Sequence, residues 1–271
     1  MKFAPHIGLS SPDDYMFPAS AGKDPIDQIK FIADQGFSGI EDNFLKLRPI
    51  EVQEKIGKEL AKQNLEMGCF VNNLIFDRPT FVSNSPEARE VLLRQLQETI
   101  EVAKRVNGKY ATTLSGVLDP SLDRDYQTAN TIENLKYCAE IAEKAGIVLG
   151  IEAITGQWWQ GTFVTTIPHA YLIVKAVNSP AVKLIFDTFQ TQMETGNIIA
   201  NIDRVWDEIA LFQIADAPQR TEPTSGEMNY ERILKHIQAK GYNGLIELEH
   251  SISQPGKEGE QAVIDFYKNF A

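Results

Sequence analysis

The sequence predicts an α/β protein, a closed parallel (β/α)₈ TIM barrel formed as one domain over residues 1–271. Three observations carry this expectation. Short strand-like runs alternate with longer amphipathic helices about eight times. The strands read as near-continuous apolar runs, as in parallel sheets covered on both faces. The chain also lacks the Gly-rich phosphate turn that a doubly wound open sheet normally carries. Length alone decides little, because 271 residues fit two average domains or one large barrel. Composition marks no boundary: the 43% hydrophobic content is ordinary, and no Pro/Ser/Gly-rich linker, low-complexity tract or run of like charge interrupts the chain.

In chain order, the predicted strands are FAPHIGL, SGIED, EMGCFVN, YATTLS, VLGIEA, VKLIFD, LFQIAD and GLIELE. The helical patterns between them include Pro25 to Gln35, Glu51 to Gln63, Pro86 to Val106, Asp125 to Ala145, Pro168 to Asn178 and Tyr230 to Lys240. Asp24-Pro25, Ser85-Pro86 and Ile167-Pro168 put proline in a first turn, where its missing N–H is harmless. Gly36, Gly146 and Gly241 follow last turns, where a left-handed residue is wanted.

Four runs in the second half end on a polar residue able to hold a metal: IVLGIE at Glu152, VKLIFD at Asp187, ALFQ at Gln213 and LIELE at Glu249. A buried strand should end on another aliphatic residue, and burying an unpaired carboxylate costs on the order of several kcal/mol. Singly, each is equally a solvated strand end or a helix N-cap. Together they share an address, because a barrel opens the carboxyl ends of all its strands on one face. Strand parity groups Gly150 with Glu152, Ile185 with Asp187, Leu211 with Gln213 and Glu247 with Glu249. Three carboxylates and one amide oxygen suit a hard cation, Mn²⁺ or Mg²⁺, better than Zn²⁺. Such an ion stabilises the charge of an enediolate, and Glu152 and Glu249 are placed for proton transfer.

The net charge of -11 disfavours a nucleic acid partner, which requires clustered Lys and Arg. No stretch approaches the roughly 20 apolar residues that cross a bilayer. The first residues lack the apolar core of a signal peptide, so the expected location is cytoplasmic. Cys69 and Cys138 have no C-x-x-C spacing and read as reduced core residues.

The stretches FDTFQTQMETGNI, FQIADAPQRTEPTSGEMNY and GYNGLIELEH resemble the hydroxypyruvate isomerase group of the xylose-isomerase-like TIM barrels, which also includes ketose 3-epimerases. The likeness covers the second half well and the first half only in layout. It implies that Gln213 is a metal ligand and Arg220 a substrate clamp. It also maps the strand-end acids onto Glu152, Asp187 and Glu249, with Glu152 and Glu249 as the proton-transfer pair. Relatives carry a His three residues after the metal-binding Asp; this chain has Gln190, which cannot titrate there. After Glu152 the chain reads ITGQWWQGTF, a departure that bears on substrate choice. Trp158 and Trp159 either pack over the rim or offer a ring to a sugar face.

His6, near the end of strand one, either faces the site or is packed or solvated. His169 and His236 fall on helices and read as surface residues. His250 points away from Glu249 by parity. Glu247 is placed one inward layer below Glu249, as a brace for it or for a neighbouring cation, and Glu41 and Asn72 are candidate rim contacts. Arg220 has the alternative of a surface ion pair.

The expected activity is isomerisation or epimerisation of a small hydroxycarbonyl compound or ketose, most like hydroxypyruvate isomerase. The alternatives are a keto-inositol dehydratase and a non-catalytic sugar-binding barrel. Acidic charge and missing His ligands disfavour the AP-endonuclease branch. A homo-oligomer is a family-level expectation only.

Overall fold

The computed structural model describes residues 1–270. The chain forms two compact units, one of Met1–Phe70, Lys104–Gly108 and Leu211–Ala271, the other of Val71–Ala103 and Lys109–Ala210.

The first unit holds β1 (Lys2–Pro5), β2 (Gly39–Ile40), β3 (Glu66–Met67) and the start of β4 (Cys69–Val71), together with most of β8 (Ile209–Ile214) and all of β9 (Leu245–Leu248). Its ladder runs β8, β9, β1, β2, β3, with parallel registers Gln213↔Glu247, Ala4↔Glu247 and Ile40↔Met67. β1 and β2 are joined by Ser38 N–H to Phe3 O at 2.9 Å and Glu41 N–H to Pro5 O at 3.0 Å. The core is apolar: Phe3, Ile29, Ile32, Phe212 and Ile246 are all buried.

The second unit holds β5 (Tyr110–Thr113), β6 (Val148–Glu152) and β7 (Val182–Asp187), parallel in that order, with Thr113↔Ile151 and Glu152↔Ile185 in register. Leu149, Leu184 and Phe186 have no exposed surface, as expected for strands covered on both faces.

The predicted strand EMGCFVN is broken at Gly68 into β3 and β4, giving nine strand segments among the described residues where eight were expected. The cause is a close approach. A Cβ on Gly68 would stand 2.2 Å from Glu247 Oε1, which accepts the Cys69 N–H at 2.5 Å. A side chain therefore takes the place of a ladder carbonyl, and only glycine leaves it room. Gly150 behaves similarly, since its Cβ would meet Ile185 Cγ1 at 2.5 Å. That absence of a side chain leaves room for the side chain of Ile185, the register partner of Glu152.

The predicted helices occur within a residue or two at each end. Helices Thr188–Glu194, Ile198–Val205 and Lys257–Lys268 lie outside the spans predicted above. Pro25 begins its helix, and Gly36, Gly146 and Gly241 have φ of +86°, +72° and +78°. Asp24 caps the Pro25–Asp34 helix by accepting Ile26 N–H at 2.8 Å and Asp27 N–H at 3.3 Å. Removing that cap by Asp24→Ala is expected to lower stability by about 1 kcal/mol in urea unfolding; no measurable change would contradict the assignment.

Among the described residues, no helix is long and apolar enough to cross a membrane. His169 is half-buried rather than on the surface: its Nε2 lies 3.1 Å from Thr128 Oγ1 and its ring packs edge-on to Phe163. His236, also expected at the surface, is half-buried on its helix.

Candidate metal centre

The four polar strand ends are all buried: Glu152, Asp187, Gln213 and Glu249 are 4%, 2%, 0% and 5% exposed. Glu152 closes β6 and Asp187 closes the neighbouring β7. Asp187 is also the N-cap of the Thr188–Glu194 helix, with one oxygen, Oδ1, accepting Phe189 N–H at 2.7 Å and Gln190 N–H at 3.1 Å. The cap reading and the strand-end reading thus describe the same residue.

In the first unit, Gln213 lies within β8 and Glu249 follows β9 directly. The Gln213 amide nitrogen donates to Glu41 Oε1 at 2.9 Å. With its nitrogen so engaged, the oxygen of that amide is the atom left to serve as a metal donor. Glu249 accepts Asn43 Nδ2 at 2.8 Å and Arg220 Nη2 at 2.5 Å. The Arg220 side chain is 17% exposed and that of Glu249 6%, so this is not the solvated surface pair that would contribute little. The Arg220 backbone is left-handed, with φ of +57°, and its carbonyl accepts Ser251 N–H at 3.0 Å. Asp216 holds the same loop, accepting Ala217, Met228 and Thr224 N–H at 2.9–3.0 Å.

Beneath Glu249 lies a second acidic layer. Glu41 has no exposed surface, and its Oε1 is 3.7 Å from Cys69 Sγ. Burial, reinforced by Glu247 and Glu249, holds its carboxyl well above the ordinary range. Glu247 accepts both the backbone N–H and the thiol of Cys69, and burial pushes its carboxyl up to about 7. The placement of Glu247 below Glu249 is as expected from parity, but what it braces is the break at Gly68.

Gln190 Oε1 accepts Thr155 N–H at 2.9 Å, and Glu194 Oε2 accepts Thr155 Oγ1 at 2.9 Å and Gly156 N–H at 3.3 Å. Gln190 and Glu194 thereby fasten the loop that carries the tryptophans. Trp158 rests on Phe189 at 4.7 Å and Trp159 on Phe76 at 5.4 Å between ring centroids, while each stays 46% exposed.

His6 is 1% exposed, with Nδ1 at 3.1 Å from Asp14 O and Nε2 at 3.1 Å from His250 O, the packed alternative. His250 is equally buried; its Nε2 meets Tyr267 Oη at 2.8 Å, and burial lowers its pKa to about 3. Asn72, directly after β4, is buried and bonds Thr99 Oγ1 at 2.8 Å and Thr113 Oγ1 at 3.3 Å.

Asn43, Cys69, Glu194 and Asp216 were not singled out as functional from sequence. The run Glu41-Asp42-Asn43 closing a predicted strand was the available signal for Asn43; the others depend on partners distant in sequence.

Both cysteines are free and buried, and burial pushes the Cys138 thiol up to about 12. Neither is expected to react with a bulky aromatic disulfide in the folded protein, and both should react in denaturant. Rapid labelling of native protein would contradict this burial.

The xylose isomerase-like TIM barrel family matches residues 29–270, and the chain belongs to it. The (β/α)₈ fold expected from the strand and helix alternation is therefore established. Over 229 residues the chain is 28% identical to the 2-oxo-tetronate isomerase of Pectobacterium atrosepticum, covering 83% of this chain and 86% of that protein. It is 29% identical over 242 residues to a putative hydroxypyruvate isomerase of Drosophila melanogaster, covering 86% and 88%. Solved structures agree in fold. One called AP endonuclease, family 2, from Brucella melitensis has a TM-score of 0.83 at 23% identity, with 98% of each chain covered. A D-psicose 3-epimerase from Clostridium cellulolyticum H10 has 0.79 at 15% identity, with 100% of this chain and 99% of that chain covered. At these identities the structural likeness speaks for the fold alone.

Proposed function

We propose that the protein is a divalent-metal-dependent isomerase or epimerase of a small hydroxycarbonyl compound or ketose, closest in activity to hydroxypyruvate isomerase, and that it acts through an enediolate. The observation that carries this reading is the burial, to 5% exposure or less, of Glu152, Asp187, Gln213 and Glu249 at strand carboxyl ends. In a barrel of this family those ends open on one face, where catalytic groups gather. The similarity to 2-oxo-tetronate and hydroxypyruvate isomerases over most of the chain supports the reaction class.

The donor set fits a hard cation. Three carboxylates and one amide oxygen, without His or Cys, match Mn²⁺ or Mg²⁺. Glu152, Asp187, Gln213 and Glu249 would hold it. When bound, such an ion supplies Lewis-acid stabilisation of the charge that develops on a substrate carbonyl oxygen.

The remaining work belongs to side chains. One of Glu152 and Glu249 takes the proton alpha to the carbonyl, and that residue or the other returns a proton to the adjacent carbon or the opposite face. Arg220, now on Glu249 Oε2, is the substrate clamp, since its fork of donors suits a carboxylate or a hydroxycarbonyl edge. Trp158 offers ring area for a sugar face, on a loop that Gln190 fastens through Thr155.

The test is proton exchange. Purified protein with Mn²⁺ and hydroxypyruvate or a ketose in deuterated water should show deuterium entering the alpha carbon by NMR. A chelator should stop the exchange and added Mn²⁺ restore it. Absence of exchange with every candidate, or exchange indifferent to the chelator, would defeat the proposal.

A further inference from the structure

We propose that Glu41, Cys69 and Glu247 form a second cation site, distinct from the four strand-end donors, which takes a borderline divalent ion such as Zn²⁺. Each offers one ligand atom, and these atoms lie within 4.8 Å of one another. The thiol is central: Cys69 Sγ is 3.0 Å from Glu247 Oε2 and 3.7 Å from Glu41 Oε1. A tetrahedral zinc with Zn–S of about 2.3 Å and Zn–O of about 2.0–2.2 Å separates sulfur and oxygen ligands by about 3.5 Å. The two observed separations bracket that value.

Three further facts point to a ligand rather than to packing. Glu41 and Glu247 have no exposed surface, and among the described residues no cationic side chain is bonded to either. Glu41 Oε2 is buried without any hydrogen-bond partner. Gln213 already donates to the other Glu41 oxygen at 2.9 Å, as an outer donor orients a ligating carboxylate. A thiol among these carboxylates also separates this site from the all-oxygen set above it, since sulfur favours the softer metal. On binding, the Cys69 S–H and the carboxyl protons leave to solvent, and thiolate and carboxylates take their place on the ion. Because the cluster is wholly buried, the ion enters as the chain folds.

Cobalt(II) is the probe. The full chain, overproduced in cobalt-supplemented minimal medium, should show a thiolate-to-cobalt charge-transfer band in the near ultraviolet and carry about two ions per chain. Cys69→Ser should abolish the band and lower the content to about one ion. Glu41→Gln, nearly isosteric, should weaken the band at least several-fold and gives an independent reading if the serine variant folds poorly. Asp187→Asn should remove the other ion and leave the band, so loss of this site is told apart from loss of the proposed catalytic one. Wild-type protein that holds cobalt without the band, or a band that survives Cys69→Ser, would overturn the proposal; the two acids would then be held by protons alone.

Discussion

Glu249→Gln is expected to lower deuterium exchange into the substrate by about 10²–10⁴-fold, the usual contribution of a positioned acid or base. The substitution keeps the shape, but its single amide oxygen can accept from only one of Asn43 and Arg220, which now hold the two carboxylate oxygens at 2.8 and 2.5 Å. What it removes is the negative charge and the capacity to take a proton. The fold should survive, because Gln presents an oxygen to Asn43 and leaves β9 unchanged. A neutral amide facing Arg220 also weakens that ion pair, so KM should rise along with the fall in kcat. Glu152→Gln should have an effect of similar size. Exchange that persists at the wild-type rate in both variants would exclude the two-glutamate mechanism.

Arg48→Ala is expected to produce the largest loss of stability, about 3–5 kcal/mol, the range for removing one partner of a buried ion pair. Arg48 Nε donates to Asp42 Oδ2 at 2.5 Å and Nη2 to Ile7 O at 2.7 Å, with side chains only 5% and 0% exposed. Truncation leaves the Asp42 carboxylate buried without its cation and the Ile7 carbonyl without its donor. It also removes the guanidinium 5.7 Å from the Tyr15 ring centroid. The thermal midpoint should fall by on the order of 10 °C. Arg48→Lys keeps the charge but cannot reach carboxylate and carbonyl with one rigid fork, so it should recover only part of the loss. Because Asp42 lies between Glu41 and Asn43, which bond Gln213 and Glu249, exchange activity should fall as well. A change below about 1 kcal/mol would show that this pair does not anchor the strand ends.

The features legible in the sequence are those set by near neighbours in the chain. Proline in first turns and glycine at left-handed caps marked helix ends because each acts within a few residues. Apolar runs ending in Glu152, Asp187, Gln213 and Glu249 marked the polar strand ends, since an acid closing a buried strand contradicts its own surroundings. The break at Gly68 was not legible, because its cause is Glu247, 178 residues beyond Cys69. Asn43 on Glu249 spans 206 residues, so no local pattern announces it. His6 left two readings open, and only the carbonyls of Asp14 and His250, on separate stretches of chain, show what its ring nitrogens face. The half-burial of His169 depends on Thr128, 41 residues earlier, which helical position alone did not reveal.

The metal centre is tested most directly by a crystal grown with manganese and measured for its anomalous signal. One strong peak is expected about 2–2.3 Å from oxygens of Glu152, Asp187, Gln213 and Glu249. Manganese bound only elsewhere, with no peak at these four residues at saturating manganese, would contradict that arrangement.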